Sequence, residues 1–252
     1  MKTVGLLGGM SWESTLDYYR MINTGVKQAL GGLHSARLVM YSVDFAEIEQ
    51  LQHQGNWQAT ADILSKAARH IEAASADGLL ICTNTMHKVA AQIEEAISIP
   101  LLHIADATAE VILAQGMRRV GLLGTAFTME QDFYKGRLQE KFGLEVRVPE
   151  AAERALVHRV IYQELCLGQT LEASRQAYLH IIRQLADQGA EAVILGCTEI
   201  GLLVKQADTD VPLLDTTAIH AAHAVRFALE EEPEAARQTG SVGGPDFLSG
   251  IR

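Results

Sequence analysis

Cysteine, basic residues and long apolar runs are all scarce in this chain of 252 residues, and each scarcity removes a class of protein. The three cysteines, Cys82, Cys166 and Cys197, form neither an even set nor a C-x-x-C pair. That excludes a disulfide framework, leaves a structural zinc site without a pattern, and makes a reducing cytoplasm the expected setting. Lysine and arginine number 21 against 31 acidic residues, for a net charge of -10. A surface that negative repels phosphate backbones and anionic headgroups, so no nucleic-acid or membrane partner is expected. The longest apolar stretch, 97–117, is interrupted by His103, Asp106 and Glu110 and falls short of a bilayer span. At the N-terminus Lys2 precedes a short glycine-broken run that meets Glu13, too short for the apolar region of an export signal, so no leader is expected.

What remains is rich in core material: 48% hydrophobic against 21% charged, enough for one large core or two smaller ones. Short runs of Val, Leu and Ile at 4–7, 37–43, 78–82, 120–123 and 192–195 are apolar on both faces and predict buried strands. Helical periodicity follows at 13–30, 57–74, 87–96, 107–115, 130–142, 172–188 and 217–229. Strand and helix in alternation predict an α/β fold with parallel sheets covered on both sides.

The chain also repeats itself. Val4-Gly5-Leu6-Leu7-Gly8 returns as Val120-Gly121-Leu122-Leu123-Gly124, the run from Gly78 to Thr83 corresponds to that from Ala192 to Cys197, and Ile99-Pro100-Leu101-Leu102 to Val211-Pro212-Leu213-Leu214. Three matches in one order at nearly constant offset predict two pseudo-symmetric, doubly wound halves. The first half is expected to take 1–103 plus 213–230 and the second 104–212, with 231–252 a flexible tail.

Ligands of parallel sheets sit beyond the carboxyl ends of strands, where helix N-termini offer free N–H groups. Gly8-Gly9-Met10-Ser11 follows the first strand; its spacing is neither G-x-G-x-x-G nor a P-loop, and a tight turn capped by Ser11 accounts for it. The other ends are more informative. Thr83-Asn84-Thr85 follows one strand and Cys197-Thr198-Glu199 follows its repeat partner, so facing halves bring Thr83 and Cys197 to one ligand from opposite sides. Two opposed proton carriers are what inversion at a carbon requires. Cys82 alternates away from Thr83 and is expected in the core, as is Cys166 within a helical pattern. Cys197 sits on a polar turn at a helix start, a setting that lowers a thiol pKa from about 8.5 toward neutrality.

Other candidates have ordinary explanations. Thr128-Met129-Glu130-Gln131 reads as a capping box with Thr128 as the cap, leaving Thr125 as the ligand contact. His220 and His223 share a helix face but lack a third metal ligand and are expected partly buried or solvent-facing. Lys88 and Lys205 lack the setting of a Schiff-base lysine, so no pyridoxal cofactor and no metal is expected.

Taken together, Gly8-Gly9-Met10-Ser11, Cys82-Thr83-Asn84-Thr85-Met86-His87, Gly124-Thr125 with Thr128, and Gly196-Cys197-Thr198-Glu199 resemble the aspartate/glutamate racemases over nearly the whole chain. Gly-Cys-Thr-Glu at 196–199 and Ser42-Val43-Asp44-Phe45 are similar to the aspartate racemase branch. The resemblance implies a cofactor-independent isomerase of an acidic amino acid, usually a homodimer, with its site in the interdomain cleft. It implies two catalytic cysteines flanking Cα. Cys197 matches the second, whereas Thr83 stands in place of the first. Asn84, Thr85 and Thr198 would hold the α-carboxylate and amine, Met10 and Thr125 would line the cleft, Gln52 in a loop would reach the side-chain carboxylate, and Glu199 would orient Cys197 or the ammonium group or serve as a helix first-turn acid. Because a threonine alcohol is too weak an acid to supply a base but can still donate a proton, the resemblance implies an asymmetric site that deprotonates the L enantiomer. A single-cysteine isomerase or decarboxylase of a dicarboxylic acid and a non-catalytic amino-acid or dicarboxylate binder are the alternatives.

Overall fold

The computed structural model describes residues 1–230; the expected tail at 231–252 lies outside them. The first half runs β1 (Thr3–Gly8), α1 (Trp12–Leu30), β2 (Arg37–Ser42), α2 (Phe45–His53), α3 (Trp57–Ala73), β3 (Gly78–Ile81), a 3₁₀ turn at Thr85–Val89 and α4 (Ala90–Glu95). The second runs α5 (Ile104–Ala114), β4 (Arg119–Gly124), α6 (Ala126–Glu130), α7 (Asp132–Phe142), β5 (Glu145–Arg147), α8 (Ala151–Gln163), a 3₁₀ turn at Leu165–Leu167, α9 (Glu172–Asp187), β6 (Ala192–Gly196), α10 (Ile200–Leu203), β7 (Leu213–Asp215) and α11 (Thr216–Leu229).

Two all-parallel sheets result, of order β2-β1-β3 and β5-β4-β6-β7, the α/β architecture of two halves that alternating strand and helix patterns predict. The inner strands β1, β4 and β6, with β3, are buried on both faces, their side chains alternating between two helical layers. In the first, Leu7, Leu79 and Ile81 pack under Leu64, Ala68 and Ile71 of α3, while Val4, Leu6 and Leu80 meet Tyr18 and Ile22 of α1 on the other side. In the second, Leu123, Val193 and Leu195 face α8 and α9, and Val120, Leu122 and Ile194 face α5 and α7. Cys82 is fully buried in this framework, as its alternation requires.

The crossover at the end of the chain divides differently from the expectation. β7 pairs with β6, Ile194 opposite Leu214, so 213–215 stays with the second sheet. Only α11 returns to the first, where Ala221, Ala224 and Phe227 pack beside Leu6 and Leu80. β2 is also a correction: it is an edge strand, with Met40 and Tyr41 exposed, because no strand lies beyond it to cover its apolar run.

The register places the site. Leu7 opposite Ile81 ends β1 and β3 level, and Gly124 opposite Gly196 does the same for β4 and β6. The residues after those glycines, Thr125 and Cys197, therefore emerge side by side. At the corresponding end of β1, Gly9 adopts φ +92° with Val43 backbone where a Cβ would stand, a conformation and a closeness that only glycine tolerates.

Candidate active site

The strand-end loops of both halves open on one narrow cleft, with a free interior of about 40 Å³. Every residue singled out for the site lines it. The first half contributes Met10, Gln52, Thr83, Asn84 and Thr85, and the second Thr125, Cys197, Thr198 and Glu199.

Hydrogen bonds cross between the halves around this cleft. Ser11 Oγ donates to Glu199 Oε1 at 3.2 Å, Thr85 Oγ1 and Thr125 Oγ1 are 3.4 Å apart, and Gln52 Nε2 donates to the Tyr162 hydroxyl at 2.8 Å. Gln52 lies on α2, not in a loop, and its amide is engaged by Tyr162. Asn84 is buried and donates from Nδ2 to Thr216 Oγ1 at 3.1 Å, while that hydroxyl donates onward to Leu195 O at 2.8 Å. Thr216 Oγ1 can therefore only accept from Asn84, which fixes the amide orientation. Asn84 Oδ1 is left buried and without a partner among the described residues, an open acceptor at the cleft.

Cys197 differs from its expected state. Its Sγ donates to Glu199 Oε2 at 3.0 Å, and Thr198 Oγ1 donates to the same oxygen at 2.6 Å. Burial, then the charge of Glu199 and its acceptance of the thiol proton, push the Cys197 pKa well above the usual thiol value. The following helix, α10, spans only Ile200–Leu203, and one short turn presents little dipole against a neighbouring carboxylate. The resting residue is a thiol with an acceptor in place.

Three further expectations change. Thr125, not Thr128, is the N-cap: its hydroxyl accepts the Thr128 N–H, and Thr128 lies inside α6, because β4 ends at Gly124 and the helix starts at once. His220 is fully buried, with Nε2 2.6 Å from Leu102 O and Nδ1 2.9 Å from the Tyr18 hydroxyl. Cys166 is not core; it is exposed and lines the cleft, its pKa raised by partial desolvation of the sulfur at the cleft wall and by Glu199 and Glu13.

Phe45, Ile161 and Tyr162 also line the cleft and were not anticipated. They ride on α2 and α8 beside the strand ends, so inspection of strand-end loops misses them. Tyr162 near the end of α8 and Cys166 in the 3₁₀ turn after it both reach the cleft. Among the described residues, those lining the cleft include no arginine, lysine or histidine, and no group of His, Cys, Asp or Glu could hold a metal ion. No helix of the described residues is long and apolar enough to cross a membrane.

Two parallel-sheet halves thus meet at a cleft that holds a thiol, a hydroxyl and a carboxylate, groups able to carry protons. Comparison with known proteins specifies the class of protein. Residues 7–224 match the Asp/Glu/hydantoin racemase family, and the chain belongs to that family, a family of isomerases. It is 58% identical to a putative Asp/Glu racemase from Yersinia pestis, whose crystal structure superposes with a TM-score of 0.87 over 91% of this chain and 100% of that one. An aspartate racemase homologue from Pyrococcus horikoshii OT3 is 36% identical, with a TM-score of 0.79 over the same shares. A broad-specificity amino-acid racemase of Bacillus subtilis is 22% identical over 228 residues, 85% of this chain and 93% of that protein.

Proposed function

We propose that the protein racemises an amino acid at Cα without a cofactor, using Cys197 as the base toward the L enantiomer and Thr83 as the proton donor on the opposite face. The observation that carries this reading is the placement of Thr83 and Cys197 in one cleft, each at a strand end of a different half. Cys197 needs its proton removed before it can act. Glu199 already accepts that proton in a hydrogen bond, and a substrate ammonium group entering beside Glu199 offsets the negative charge that holds the thiol protonated. The unpartnered Asn84 Oδ1 supplies an acceptor for the same ammonium group. The Thr85 hydroxyl faces the α-carboxylate, where negative charge grows as the proton leaves, and Thr198, whose hydroxyl donates to Glu199, borders the same end. Met10 and Thr125 shape the walls, and Gln52 with Tyr162 borders the side-chain end.

Aspartate and glutamate are the substrates that the family implies. A second reading is favoured by the lining itself. A side-chain carboxylate buried here meets no cation among the described residues and stands near Glu199, which costs free energy, whereas Phe45, Ile161 and Tyr162 suit an uncharged side chain. The name of the Bacillus relative, a broad-specificity racemase, supports the same direction. A cytoplasmic homodimer whose halves divide near 103 and 216 completes the proposal.

Incubation in deuterium oxide with L and D forms of aspartate, glutamate, methionine and leucine, followed by proton NMR at Cα, tests it. Exchange with L forms well ahead of D forms is expected. Binding without exchange would make the protein an amino-acid binder, and neither binding nor exchange would leave a reaction on a dicarboxylic acid.

A further inference from the structure

Thr83 is held by a side chain that the proton transfers do not involve. His87, in the 3₁₀ turn Thr85–Val89, is buried, with Nδ1 2.8 Å from the Thr83 carbonyl oxygen, and its Nε2 accepts the Ile104 backbone N–H at 3.3 Å. A backbone N–H only donates, so Nε2 carries no proton and the neutral ring must carry it on Nδ1, pointing at a carbonyl that only accepts. Burial first, then neighbouring His103, keeps the ring neutral by lowering its pKa well below the usual histidine value. The ring is wedged between His103, with centroids 4.4 Å apart, and His220, 6.0 Å away. Both neighbours are themselves fixed: His103 Nδ1 caps α5 at Ala105 N, and His220 is tied to Leu102 and Tyr18. Ile104 N–H belongs to the first turn of α5, whose donors have no partner within the helix. A single imidazole thus bridges the loop that carries Thr83 and the first helix of the second half.

We propose that His87 is a positioning residue, its Nδ1–H bond to the Thr83 carbonyl setting where the Thr83 hydroxyl stands over the substrate and hence the share of carbanions protonated from that side. The inference rests on the racemase reading above. In that reaction the Cys197 thiolate takes the Cα proton of the L form. The carbanion then takes a proton from the Thr83 hydroxyl, which recovers one from water, and becomes the D form. Alternatively it is reprotonated on its original face by the Cys197 thiol and returns as the L form. In deuterium oxide the second route is visible as deuterated L substrate whenever the thiol exchanges its abstracted proton with solvent before returning it. The ratio of D product to deuterated L substrate therefore measures how well Thr83 is placed. Both products arise from one intermediate, so the ratio does not depend on how much of a variant folds.

Two substitutions separate the two ends of the ring. His87→Asn keeps an amide N–H near the place of Nδ1 and gives up the bond to Ile104. His87→Gln offers a carbonyl oxygen near the place of Nε2 and gives up the bond to Thr83. The ratio is expected to fall about tenfold or more in His87→Gln, the scale of a small misplacement of a reacting group, and to stay within about twofold of the unsubstituted protein in His87→Asn. An equal ratio in the two variants, changed or not, would overturn the proposal and leave His87 as a structural bridge. Absence of deuterium at Cα in both the D product and the recovered L substrate with the unsubstituted protein would overturn the racemase reading underneath, a failure that shows before any variant is made.

Discussion

A thiol 3.0 Å from a carboxylate is the least reactive form of a base that the reaction needs; burial contributes most to that state and Glu199 adds to it. Its negative charge and its hydrogen bond from Sγ both favour the protonated state. Removing the charge therefore lowers the thiol pKa, and the sign follows directly: Glu199→Gln should become alkylatable at lower pH than the parent. With Cys166→Ser as background, so that one cleft thiol remains, the pH midpoint for modification of Cys197 by iodoacetamide should move down in Glu199→Gln. A midpoint that stays or rises would show that burial alone holds the proton. Cys197 as the site thiol was legible because its place after a strand, matched by Thr83 in the repeat, needs only chain order. Its protonation state was not, because that depends on the Glu199 rotamer and on the depth of the sulfur, neither of which residue order contains.

Among the elements, legibility followed length and repetition. The strands built on Val4 to Gly8 and Val120 to Gly124 were visible because a pentapeptide that recurs is hard to mistake, and their level ends carried the site residues into view. β5 and β7 span three residues each, too short for any period to register, and so β7 was assigned to the wrong half. α2 escaped because it is only nine residues long, Phe45–His53, so that Phe45, Ile48 and Leu51 mark barely two turns of helical period. α6 was displaced for a different reason: Thr125 and Thr128 both suit a cap, and only the end of β4 at Gly124 decides between them. A capping hydroxyl contributes about 1 kcal/mol, so Thr125 serves the helix and the cleft at once. The cleft wall formed by α2 and α8 comes from elements that a strand-end rule does not inspect.

At the scale of the whole molecule, the junction of the halves is built around neutral histidines. Burial, followed by the nearby Arg137, His220 and Lys141 charges, lowers His103 to about 2, and burial with His87 beside it lowers His220 to about 3; His87 shifts in the same direction. These folded values lie below that of an unfolded histidine, near 6.5, so the unfolded chain binds more protons once pH drops under that value. The stabilisation is complete above about pH 6.5 and is lost as pH falls toward about 3, at roughly 1.4 kcal/mol per pH unit for each imidazole. Urea midpoints recorded from pH 7 to pH 4 should fall steadily, and His103→Asn should flatten the slope; a parent curve flat across that range would contradict the burial. The central claim concerns the cleft those histidines support, namely that one sulfur and one hydroxyl stand on opposite faces of a single carbon. A crystal structure with a bound L-amino acid tests it most directly. The account predicts Cys197 Sγ and Thr83 Oγ1 on opposite sides of Cα, each within about 3.5 Å. An amino acid seated with both groups on one side, or outside the cleft altogether, would contradict it.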